Sequence, residues 1–114
     1  MGMLAEIKTL LATISNVYIG DMPATPDDCV SIYPLGGGSQ SVVGGKVRER
    51  YLLVQVRSSS YATGLATCET INGLLHAKVT GHFLLIAQEE DVTGLGKDAS
   101  GRNSFTTTYR TLYL

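Results

Sequence analysis

The sequence predicts an α+β domain with its elements in the order α-β-β-α-β-β, a mixed or antiparallel sheet flanked by two helices. Three observations carry this reading. Two segments space their apolar residues by threes and fours, the period of a helix that buries one side. Other short segments alternate or run apolar over strand lengths, bounded by glycine, proline and acidic turn residues. Residues 104–114 are rich in Thr and Tyr, and from Phe105 onward they contain neither Gly nor Pro, which suits a pleated, half-covered surface.

Leu4, Ile7, Leu10, Leu11 and Ile14 form the first helical stripe, predicting a helix over residues 3–15. Residues 20–28 contain Pro23 and Pro26 and read as a loop, because proline fixes its backbone angle and has no N–H to donate. Residues 29–33 alternate apolar and small polar positions and read as a short strand stopped by Pro34. Between Leu35 and Val47 lie Gly36, Gly37, Gly38, Gly44, Gly45 and Lys46, whose composition predicts a mobile hairpin arm.

Residues 51–57 carry apolar side chains on both alternating sets, as expected of a largely covered strand. Ser59 or Ser60 can cap a second helix over residues 61–77, with a core stripe of Tyr61, Leu65, Cys68, Ile71, Leu74 and Leu75. Burying that stripe contributes roughly 10 kcal/mol before entropy is charged, so this helix is expected to dominate the core. Residues 82–88 form the next strand. The acidic Glu89, Glu90 and Asp91 then lead into a glycine-containing loop over residues 93–102, before the closing strand. That last strand offers either an edge for another chain or a platform that one can cover.

The chain has 114 residues, enough for one domain (1–114). A formal charge of -1 and scattered basic residues argue against sequence-specific nucleic-acid binding, which requires a basic excess or stripe. A mean hydropathy of +0.13 with 17% charged residues is high for a small monomer and hints at apolar surface covered by other subunits. No stretch approaches the roughly 20 apolar residues that cross a bilayer, so no membrane partner is expected. Cys29 and Cys68 lack zinc or disulfide-scaffold spacing and read as reduced core residues.

Sites of chemistry find little support. Gly44-Gly45-Lys46 resembles the end of a phosphate loop, but Gln40 stands where that loop needs glycine, Val47 replaces its Ser or Thr, and a strand follows instead of a helix. Gly94-Leu95-Gly96 opens no helix, so it does not read as a dinucleotide site. Cys68 with His76 or His82 is the enzyme alternative, a nucleophile and base; against it, His76 suits the negative end of a helix and His82 starts a strand. Neither histidine has a second ligand at metal spacing, and the acidic groups lack a calcium-loop pattern, so no metal or cofactor is expected. Arg102 and Arg110 are candidates for subunit contacts through bidentate pairing with carboxylates.

The order of elements, Gly20 and Pro23 after the first helix, Val54-Gln55-Val56-Arg57-Ser58 before a helix containing Tyr61, and Gly96-Lys97-Asp98-Ala99-Ser100-Gly101-Arg102 before the closing strand resemble the minor capsid and tail-terminator (tail-completion) proteins of long-tailed bacteriophages. The resemblance implies a non-enzymatic virion protein of the tail or neck, assembled in the host cytoplasm. It implies a hexameric ring that caps the tail tube, ends its elongation and presents the face on which the head's connector or stopper docks. The implied partners are other copies of the chain, the tail tube protein and that connector or stopper, with DNA passing through the ring. A head-side neck or stopper protein is the neighbouring reading. On this view Gly36, Gly37, Gly38, Gly44, Gly45, Lys46, Gly96, Lys97, Asp98, Arg102 and Arg110 are expected at subunit or tube interfaces. Glu89, Glu90 and Asp91 are expected to face the channel, where like charge keeps DNA from sticking.

Overall fold

The computed structural model describes residues 3–40, 48–80 and 83–113. Helix α1 (Met3–Leu10) is followed by strands β1 (Val17–Ile19), β2 (Cys29–Gln40) and β3 (Arg48–Ser58), helix α2 (Tyr61–Leu75), and strands β4 (Phe83–Lys97) and β5 (Asn103–Tyr113). The strands form one sheet in the order β1-β2-β3-β5-β4. β1 runs parallel to β2, and every other pairing is antiparallel. The predicted α+β class with a mixed sheet and two helices is observed, with one short strand added.

Paired residues on neighbouring strands share a face, so the register shows where the core lies. Val56 faces Phe105, Val54 faces Thr107 and Leu52 faces Tyr109. This face meets both helices in a cluster that includes Ile7 and Leu11 from the α1 region, Cys68, Ile71 and Leu75 from α2, and Val30, Ile32, Phe83 and Ile86 from the sheet. Polar groups within it are satisfied locally: the Tyr109 hydroxyl donates to Asn72 Oδ1 at 3.0 Å, and the Thr111 hydroxyl to the Arg50 carbonyl at 3.0 Å. The opposite face has Leu53, Gln55, Thr106, Thr108, Arg110 and Leu112 half-exposed.

α2 begins as its sequence suggests, with the Ser60 hydroxyl accepting the Thr63 N–H. Asp28 supports the same end by accepting the Ser59 N–H at 2.9 Å, and this bond holds its carboxyl below the usual carboxylate value. The predicted stripe is shifted: Tyr61 is 60% exposed and touches Phe105 edge-on, while Gly64 takes the buried position above that ring. Cys29 and Cys68 are buried and not disulfide-bonded.

Three boundaries and the placement of β5 differ from the sequence reading. α1 ends at Leu10, and the next residues form turns. β2 does not stop at Pro34. Val30 donates its N–H outward to the Asn16 carbonyl, and Ile32 accepts the Gly20 N–H, so even-numbered residues point away from β3. Pro34 therefore lacks a donor only on the outer side, where a sheet tolerates proline. Glu89, Glu90, Asp91 and residues 93–97 are not loop but continue β4, paired with β5 from Glu90 opposite Thr108 to Lys97 opposite Asn103. β5 is not an edge: it lies between β3 and β4.

Candidate functional site

The surfaces that could join this chain to others are the two ends and two edges of the long sheet. At one end, the β4–β5 turn is built around Asp98. Its Oδ1 accepts the N–H groups of Ser100 and Arg102, both at 2.9 Å, and its Oδ2 accepts Arg102 Nε at 2.9 Å. These bonds, led by the one from the Arg102 backbone, hold the Asp98 carboxyl below its ordinary value. Gly96 and Gly101 supply the positive φ angles, +85° and +80°, that bend the chain on either side. Arg102 also donates to the Ala24 carbonyl at 2.6 Å and lies 3.6 Å from Asp27, fastening the turn to the proline loop.

Arg57 fastens the same loop from β3. It is only 7% exposed and donates to the carbonyls of Pro23 and Pro26, each at 2.7 Å, and of Asp27 at 3.1 Å. The sequence reading missed this clamp. The available signal was a guanidinium at the end of an otherwise apolar strand with a two-proline loop to hold.

The residues expected at interfaces do not gather in one place. Gly96, Lys97, Asp98 and Arg102 lie at the end just described, where Lys97 pairs with Asn103. Gly36, Gly37 and Gly38 lie toward the opposite end, in β2, with Gly37 across from Arg50. The molecule's longest extent is 49 Å, against 23 and 22 Å across. Arg110 sits on the open face and is ion-paired to Glu49 on β3. Glu89, Glu90 and Asp91 are exposed on β4, the outermost strand beside β5. Gly44, Gly45, Lys46 and His82 lie outside the described residues.

The outer sides of β2 and, at the other edge, of β4 are covered over only part of their length. β1 and its flanks cover β2 through Ile32. On β4, the segment after α2 covers the outer side from Phe83 to Gln88. Ala77 donates to the Ile86 carbonyl at 2.6 Å, Thr80 N–H to the Phe83 carbonyl at 2.9 Å, and Gln88 N–H to His76 Nδ1 at 2.9 Å. Among the described residues, 33–40 of β2 and 89–97 of β4 pair with another strand on the inner side alone. The Val92 N–H is held by the Asp91 carboxylate at 2.7 Å.

Among the described residues, the nucleophile-and-base reading through Cys68 and His76 finds no support. Burial pushes the Cys68 thiol up to about 11, keeping it protonated at neutral pH, and His76 Nδ1 is occupied by Gln88. The Cys29 thiol is likewise raised by burial. It lines an open hollow of about 530 Å³ whose other walls include Thr63, Ala66 and Thr67. No group of His, Cys, Asp and Glu side chains among the described residues could hold a metal ion.

The sequence profile described as bacteriophage tail terminator protein matches residues 5–114. The chain belongs to that family. It is therefore a structural assembly protein of the phage tail or neck. Its fold is similar to that of a chain in the solved virion of a native gene transfer agent particle, with a TM-score of 0.70 and 14% identity over 96% of this chain and 84% of that one. No curated protein matches the sequence.

Proposed function

We propose that this protein forms a ring, a hexamer as the family resemblance implies, that caps the tail tube, stops its elongation and presents the face on which the head's connector or stopper docks. The observation that carries this reading is the tail terminator family match across residues 5–114. The fold supports it, because an elongated subunit can meet its neighbours along the sheet edges while its two ends face different partners. The turn at Gly96, Lys97, Asp98 and Arg102 and the glycines of β2 are then contacts to opposite partners. The reading includes no catalytic step. It places the protein in the virion, with assembly in the host cytoplasm.

The test is tube growth. Purified tail tube protein is polymerised with and without this chain, and tube lengths and ends are measured by electron microscopy. Arrested tubes with a ring density at one end are expected. Tubes that lengthen unchanged overturn the proposal. Absence of the chain from tails isolated without heads assigns it to the head side of the neck instead.

A further inference from the structure

The open halves of the two sheet edges begin at the same transverse row. Pro34 lies opposite Leu52, Leu52 opposite Tyr109, and Tyr109 opposite Gln88. Among the described residues, β2 is covered and β4 open on one side of this row, and β4 is covered and β2 open on the other. An open edge is a template for another strand, and natural sheets usually blunt it. Here each edge is blunted along one half only, and the two halves left open are of nearly equal length.

We propose that the open part of β4, residues 89–97, pairs with the open part of β2, residues 33–40, of a second copy of this chain, joining the sheets head to tail. This deepens the ring reading above and rests on its self-assembly. Polarity favours it. β2 runs antiparallel to β3, β3 to β5 and β5 to β4, so a neighbour in the same orientation presents its β2 antiparallel to this β4. The pairing is heterologous and leaves each copy one open half for the next. Successive copies are staggered along the strands, which tilts them as closure of any sheet requires.

The open half of β4 begins with the exposed Glu89, Glu90 and Asp91, which the pairing brings against the neighbour's β2. This places the acidic residues at a boundary between copies, in place of the channel lining expected from the sequence.

Hydrogen exchange of the wild-type chain over a concentration series, alongside native mass, tests the assignment without altering the fold. Amides in 33–40 and 89–97 are expected to gain protection together as the mass rises. A monomer at every concentration, or assembly that leaves those amides unprotected, overturns the assignment. In the second case arrest of tube growth still tests the ring reading separately.

Discussion

Gly64 is buried in α2 where a side chain has no room. A Cβ there would stand 2.4 Å from Phe105 Cε1 and 3.2 Å from Ser58 Cβ. Alanine would gain about 1 kcal/mol of helix propensity, but forcing a methyl against a ring held at the sheet costs about 1 to 3 kcal/mol. Gly64→Ala is expected to lower stability in urea unfolding by about 1 kcal/mol net. A more stable variant would show that Phe105 can yield. Ser31 is the opposite case, with its hydroxyl buried and lacking a hydrogen-bond partner among the described residues. Ser31→Ala removes that unpaid desolvation and is expected to leave stability unchanged or raise it by up to about 1 kcal/mol. A clear loss in the same measurement would point to a partner for the hydroxyl.

At the scale of elements, the proline loop shows how a segment without regular structure is fixed. Arg57 satisfies three of its carbonyls and Arg102 a fourth. Arg57→Ala is expected to cost about 2 to 3 kcal/mol, since bonds from a charged donor are the strong ones. It is also expected to expose residues 20–28 to limited proteolysis, with Arg57→Lys intermediate because an ammonium cannot fork. Equal protease resistance in all three proteins would deny the clamp.

The elements readable from sequence were those whose pattern is local. The apolar period of α2 and the alternation of β3 and β5 place them within a few residues of their observed bounds. β1 was not readable, because three residues become a strand only through pairing with Val30, Ser31 and Ile32. The far halves of β2 and β4 were hidden by Pro34, glycines and Glu89–Asp91 chemistry that ordinarily marks loops. Those residues are tolerated in strands here because they lie along the outer edges of the sheet.

For the whole molecule, the sequence supported the expectation of a self-assembling protein through its hydropathy and its family resemblance, but it could not locate the joints. Residues 33–40 and 89–97 lie far apart in the chain and gain meaning only from the strand order β1-β2-β3-β5-β4. Because the proposed joint rests on backbone pairing, its salt dependence is expected to be slight. Raising salt from physiological strength to about 1 M shortens the screening length from about 8 to 3 Å. Assembly measured by sedimentation should change little over that range, while strong weakening would show that charge and not backbone pairing holds the joint.

The Asp98-centred turn also bears on the order of folding. It closes the β4–β5 hairpin through contacts among neighbouring residues, and hairpins of this kind form within about 1 to 10 μs. β3 reaches β5 only across α2 and β4 together, a much larger loop closure. The hairpin is therefore expected to serve as the nucleus onto which α2 and β3 condense. Substitutions at Asp98 should slow refolding, whereas those at Val17 should chiefly speed unfolding.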